Sequence, residues 1–188
     1  CENASLGDRN KFILRNDWKT GLSLPSGRLP YAVTLGDLDG DGLQDMLLQD
    51  DYQYVHTYKN VGTQSLPAWQ ETNALGTGLP ATLSAISLTL IDLDEDGDLD
   101  IAVVSFYPDY EKNPRESFVY LENQGSLRFK AFTFRECISG RWMTMALGDL
   151  DGDGDLEIVL GSMIRMPSKV PDFVKDIWET SGPSVVIL

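Results

Sequence analysis

The stretch Asp37-Leu38-Asp39-Gly40-Asp41-Gly42-Leu43-Gln44-Asp45 comes back twice further along the chain. It returns as Asp92-Leu93-Asp94-Glu95-Asp96-Gly97-Asp98-Leu99-Asp100 and as Asp149-Leu150-Asp151-Gly152-Asp153-Gly154-Asp155-Leu156-Glu157. The shared pattern is Asp-x-Asp-x-Asp-Gly-x-x-(Asp/Glu). So many carboxylates in nine residues repel one another unless a cation sits among them. Alternating acids with a turn-forming Gly at position six wrap oxygens around a hard ion, and six to eight oxygens at about 2.3–2.6 Å is the preference of Ca²⁺. Positions one, three, five and nine are the expected side-chain ligands: Asp37, Asp39, Asp41 and Asp45; Asp92, Asp94, Asp96 and Asp100; Asp149, Asp151, Asp153 and Glu157. Position seven (Leu43, Asp98, Asp155) is expected to give a backbone carbonyl. Mg²⁺ keeps its water and avoids all-protein cages, so calcium at about three sites is the expected cofactor.

An EF-hand opens with a similar run of acids, but it needs a bidentate Glu at position twelve and a helix on each side. Position twelve is Leu48, Val103 and Leu160. The flanks have a period of two, which means strands. Tyr31, Val33 and Leu35 match Ile86, Leu88 and Leu90, and then Met143, Met145 and Leu147. After the loops, Met46 and Leu48 match Ile101 and Val103, and then Ile158 and Leu160. Each loop is therefore expected to join two antiparallel strands.

Self-similarity extends beyond the loops. Val55-His56-Thr57-Tyr58-Lys59-Asn60-Val61-Gly62 matches Phe118-Val119-Tyr120-Leu121-Glu122-Asn123-Gln124-Gly125. Each Asn-x-Gly predicts a turn into a further strand that carries Trp69 or Phe129. Cys1-Glu2-Asn3 aligns with Leu121-Glu122-Asn123, and Ser184–Leu188 aligns with a third strand. The expected units are thus 1–30 (the third and fourth strands of a split blade), 31–75 with loop 37–45, 84–135 with loop 92–100, and a partial blade 141–188 with loop 149–157. Four short strands per unit at this period predict an all-β chain of β-propeller blades.

These motifs resemble the FG-GAP and VCBS-type repeats, the calcium-loop blades also found in integrin α-subunit propellers. Gly-Asp-Leu-Asp-Gly-Asp-Gly at 36–42 and 148–154 carries the resemblance most specifically. The Phe-Gly and Gly-Ala-Pro signatures of the integrin form are missing, which favours the microbial type of repeat. The resemblance implies a calcium-binding propeller module, outside the cell, on its surface or in the periplasm, with a structural, self-assembly or adhesion role. A carbohydrate-binding propeller and a non-catalytic propeller of a larger secreted enzyme are the alternatives. Propellers have four to eight blades, so three blade equivalents imply the rest of a longer propeller or self-association.

The net charge of −14 lies largely in the loops, which hold 15 of the 29 acidic residues. Without a basic cluster, nucleic acid and anionic membranes are disfavoured as partners, and no apolar run reaches the length of a membrane span. Calcium sites of modest affinity fill where calcium is millimolar, which again points outside the cytosol. Cys1 is a residue type that carries lipid, but repeat sequence follows it directly in place of a tether. A bridge between Cys1 and Cys137 has no support from spacing.

No enzyme signature emerges. His56, the only histidine, sits mid-strand and is expected to face solvent or a groove, while Glu136 beside Cys137 disfavours a nucleophilic thiolate. Asn3-Ala4-Ser5 fits a glycosylation sequon. Two insertions, around 107–114 and 165–184, fall at equivalent places, and Pro171–Trp178 predicts a short helix. Tyr107, Tyr110, Phe173 and Trp178 there either form a rim for sugar rings or another subunit, or fold down over the blade edges. The second arrangement is the expectation.

Overall fold

In the computed structural model the regular structure of the described residues is mostly antiparallel strand. The structure describes residues 2–4, 11–13, 15–52, 54–72, 85–105, 108–125, 127–164 and 170–188. Cys1, Tyr107 and the connection 76–80 lie outside them. A short pair, β1 (Glu2–Ala4) and β2 (Lys11–Ile13), opens the chain. The first full sheet is the meander β3 (Pro30–Gly36), β4 (Asp45–Asp50), β5 (Val55–Asn60) and β6 (Trp69–Glu71). The second repeats it as β7 (Ala85–Ile91), β8 (Asp100–Ser105), β9 (Phe118–Asn123) and β10 (Phe129–Phe132). The third contains β11 (Trp142–Gly148), β12 (Glu157–Ser162) and β13 (Val185–Ile187).

Register repeats along with order. Val33 faces Leu48, Leu88 faces Val103 and Met145 faces Leu160, so each acidic loop closes the same hairpin. The first strand of each sheet also bears its irregularity at the same place, between Pro30 and Ala32, Ala85 and Ser87, and Trp142 and Thr144. Three copies of one sequence pattern have produced three copies of one blade-like sheet.

The second sheet lies between the other two. Ile101, Val103, Val119 and Leu121 pack with Leu38 and Leu47 of the first repeat. On the opposite face Ala102, Val104 and Phe118 pack with Trp142, Ile158 and Leu160 of the third. With both faces covered, β8 reads Ile-Ala-Val-Val and every residue of it is buried; a two-sided strand abandons the polar alternation of a half-exposed one. Each fully buried aliphatic side chain stabilises by about 1.5–3 kcal/mol. The predicted helix is α1 (Asp172–Ser181), between β12 and β13, and it buries Val174 and Trp178.

Candidate metal loops

Each loop is folded around its first carboxylate. Asp37 accepts the amides of Asp41 at 3.0 Å and Gly42 at 2.8 Å, Asp92 that of Gly97 at 3.1 Å, and Asp149 that of Gly152 at 2.7 Å. The tight reversal needs a left-handed residue at position six, where Gly42, Gly97 and Gly154 have φ of 85°, 93° and 106°. Position seven folds back by its amide: Leu43 donates to Asp41, Asp98 to Asp96 and Asp155 to Asp153.

Carboxylate oxygens of Asp37, Asp39 and Asp41 lie within 4.8 Å of one another, as do those of Asp92, Asp94 and Asp96, and of Asp149, Asp151 and Glu157. Position nine behaves differently in the first two loops. Asp45 and Asp100 are fully buried. One oxygen of Asp45 accepts the amide of Leu38 at 3.2 Å and the other that of Asn60 at 2.9 Å. Asp100 does the same with Leu93 at 3.2 Å and Asn123 at 2.8 Å, and takes the Tyr120 hydroxyl at 2.5 Å. Glu157 reaches the equivalent amide of Leu150 at 2.6 Å. Position nine therefore ties the loop to its own start and, in the first two sheets, to the third strand. Burial raises the carboxyl pKa of Asp45 and of Asp100, against the pull of these hydrogen bonds.

The donor set is all oxygen and mostly anionic, which suits a hard divalent cation. Two observations bear on the fit. Asp92 Oδ1 is shut off from solvent without a hydrogen-bond partner, a state that costs about 1–3 kcal/mol unless a cation or water meets the atom. In the first loop the Lys59 ammonium contacts Asp39 and lies 2.8 Å from Asp41. There a side-chain cation sits against two of the three clustered carboxylates. Loops two and three are neighbours: the charge of Asp155, with Asp153 behind it, raises the Glu95 carboxyl pKa.

At the other end of the first sheet a cavity of about 290 Å³ is lined by Arg28, Asp50, Tyr54, His56 and Glu71 among others. His56 Nδ1 is 2.8 Å from Glu71 and Nε2 is 3.1 Å from Asp50. Only the imidazolium donates from both nitrogens at once. Arg28 lies 3.2 Å from the same Asp50 oxygen and stacks over Tyr52, its guanidinium carbon 3.8 Å from the ring centre. The groove position of His56 was legible in the alternation of β5. Its partners were not, because Asp50 and Arg28 come to it through sheet register.

Two of the four rim aromatics fold inward. Tyr110 and Trp178 are buried, meet edge to face at 5.4 Å and pack with Val170 and Val174. Trp178 Nε1 donates to the Ile138 carbonyl at 2.8 Å. These two rings are closed to a sugar, whereas Phe173 is exposed. Cys137 is a free, buried thiol.

Residues 37–103, from the first loop through the second to β8, match the family model of the FG-GAP-like repeat. A search of curated proteins finds no match to the chain. No helix among the described residues is long and apolar enough to cross a membrane.

Proposed function

From a chain that carries an FG-GAP-like repeat over residues 37–103, we propose a non-catalytic, extracellular calcium-binding propeller module whose loops bind calcium to stiffen the blades. Asp37, Asp39 and Asp41, Asp92, Asp94 and Asp96, and Asp149, Asp151 and Glu157 hold the ions, and Asp153 completes the third loop. Asp45 and Asp100 brace the cage from behind. The single observation that carries this reading is the threefold gathering of carboxylate oxygens within 4.8 Å at the end of identical hairpins. When bound, calcium supplies charge neutralisation and cross-links each loop; the chain supplies the oxygens, the turn and the buried brace. Such a module presents surfaces for assembly or adhesion.

The test is a thermal melt with calcium and with excess EDTA, paired with a calcium titration. A site with calcium at a hundred times its Kd adds about 2.7 kcal/mol, so chelation is expected to lower the melting temperature by several degrees. An unchanged melt together with no bound calcium by elemental analysis overturns the proposal.

A further inference from the structure

The sheets repeat one another in register, and a place where one copy departs from its siblings marks something the blade itself does not require. Asp50, His56 and Glu71 of the first sheet occupy such a place. By register their equivalents in the second sheet are Ser105, Val119 and Ala131. In the third sheet Ser162 and Val186 correspond to Asp50 and His56. The same four-stranded meander therefore forms with none of the three ionisable groups. Burying a carboxylate is costly, yet Asp50 is buried. Blade stability gives no reason for this trio.

The trio lines the 290 Å³ cavity, whose other wall is the chain's own segment 20–29. That segment is fastened across the sheet. The Thr20 carbonyl accepts the Trp69 amide at 2.8 Å, and the Ser23 carbonyl accepts the Tyr58 hydroxyl at 2.5 Å. Leu29 and Asp51 exchange two hydrogen bonds, each of 2.9 Å. Between these ties Pro25–Arg28 forms a turn, with Gly27 at φ of 82°, and Pro25 and Arg28 reach the cavity from it. Asp50 is saturated: one oxygen accepts the amides of Tyr52 and Tyr54, and the other meets His56 and Arg28. Two groups keep spare capacity. Glu71 is 52% exposed, and among the described residues only one of its oxygens has a partner. Arg28 is held by stacking on Tyr52 and by the charge of Asp50, and among the described residues none accepts an aligned hydrogen bond from its Nη1.

Charge and size select the ligand. Two carboxylates and two cations line the cavity, so an anion meets Asp50 and Glu71 while a cation meets Arg28 and His56. A neutral molecule rich in hydroxyls meets no like charge. Its hydroxyls donate to Glu71 and accept from Arg28. Pro25 and the half-exposed Tyr54 add apolar surface beside these groups, of the kind that takes the C–H face of a ring. The volume lies at the small end of the range for ligand sites, about 300–1,000 Å³, and suits one ring. We propose that this cavity binds a single neutral sugar residue, its hydroxyls between Glu71 and Arg28 and its ring against Pro25 and Tyr54. The site uses none of the acidic loops' carboxylates.

Saturation-transfer NMR and calorimetry on the whole chain read the result, with the methyl glycosides of glucose, galactose, mannose and N-acetylglucosamine as probes. At least one of these is expected to bind saturably with a Kd of about 1 mM, the scale of a small ligand held by few contacts. Glu71→Ala and Tyr54→Ala are each expected to weaken that binding about tenfold, with an unchanged circular dichroism spectrum. Leu66→Ala, at an exposed site outside the cavity, leaves it unaltered. Below the melting transition the affinity is expected to be the same in calcium and in EDTA, so a failure of the calcium reading leaves this test intact. Absence of saturable binding for every probe overturns the proposal, as does binding indifferent to both cavity variants. Binding that a folded chain loses in EDTA overturns it too, and so does tighter binding of glucuronate or glucosamine than of the neutral probes.

Discussion

The first and second sheets share order, register and loop, yet they surround their acids with opposite charge. At equivalent positions on the third strand, β5 carries Lys59 and β9 carries Glu122. Lys59 spans Asp39 and Asp41, which raise its pKa and are in turn held by it: the ammonium lowers the Asp41 carboxyl pKa. Among the described residues no side-chain cation pairs with the second loop, and Asp92 Oδ1 is without a hydrogen-bond partner. One motif therefore yields two electrostatic situations. The loop's own nine residues set the cage, and the neighbouring strand sets how much the cage needs an ion.

The largest effect that sharpens this contrast concerns the brace, not the cage. Asp100 accepts two amides and the Tyr120 hydroxyl, whereas Asp45 accepts two amides, and the residue equivalent to Tyr120 is Thr57. Removing either carboxylate strands buried donors, each at about 1–3 kcal/mol. In EDTA, Asp100→Ala is expected to cost about 3 kcal/mol and Asp45→Ala about 2 kcal/mol in urea unfolding. Equal losses would mean that the tyrosine bond contributes nothing.

Next comes ion affinity. Calcium in the first loop must displace Lys59 and then tolerate its charge nearby, while Glu122 adds attraction in the second. Lys59→Gln is expected to tighten the weakest calcium step by about tenfold, and Glu122→Lys to weaken a tight step by about as much. Calorimetric titration, with terbium luminescence as a second readout, separates the steps. Identical isotherms for wild type and Lys59→Gln would break the comparison at its root.

A smaller effect follows from pH, and it too is confined to the first sheet, since Val119 stands where β5 has His56. Burial depresses the His56 pKa, but the hydrogen bonds to Glu71 and Asp50 outweigh it and the net shift is upward. Asp50 moves oppositely: burial pushes it up, while His56, the amides of Tyr54 and Tyr52, and Arg28 bring it below the usual range. A histidine raised on folding contributes stability that is complete below its unfolded pKa of about 6.5 and fades as pH climbs through the folded value. A depressed carboxyl contributes above its unfolded pKa and loses that contribution as pH falls through the folded value. The melting temperature is expected to fall by about 2 °C above neutrality, the figure being small because the cluster is partly solvated. His56→Gln should flatten that alkaline limb and shrink the acid limb, of which the amides of Tyr54 and Tyr52 and the charge of Arg28 keep a part. A limb that survives the substitution assigns the pH response elsewhere.

The fold was legible because its signals are local. Alternation around Val33 and Leu35 or Leu88 and Leu90, the acidic loops and the Asn-x-Gly turns each lie within ten residues, and three copies reinforce one another. Asn60 shows the turn at work, its side-chain oxygen accepting the Gly62 amide at 3.0 Å. What stayed hidden needs pairing to be known. Asp45 reads as one more acid in a row, and only the β4–β5 register shows it tied to Asn60. Lys59 lies 20 residues beyond Asp39 and reaches it through the same register. A signal existed there, since the alignment of β5 with β9 sets Lys59 against Glu122. Trp178 and Tyr110, expected to fold down over the blade edges, do so, but that they meet each other and Val174 was not readable before the packing was known.

The smallest contrast lies inside the loops, at position four. Gly40 and Gly152 adopt φ of 74° and 82°, and Glu95 adopts 59° at the same place. Left-handed backbone is unfavourable for a residue with a Cβ and free for glycine. Glu95 also faces Asp155, whose charge raises its carboxyl pKa, with Asp92 and Asp153 adding to the effect. Glu95→Gly therefore removes strain and repulsion together, while glycine returns some entropy to the unfolded chain. In EDTA the variant is expected to melt about 2 °C higher. With calcium bound the gain should shrink, because the ions already offset the repulsion. Glu95→Gln separates the causes: it keeps the side chain's strain and removes only charge, so a variant that recovers the whole gain would place the penalty in electrostatics and leave the backbone blameless.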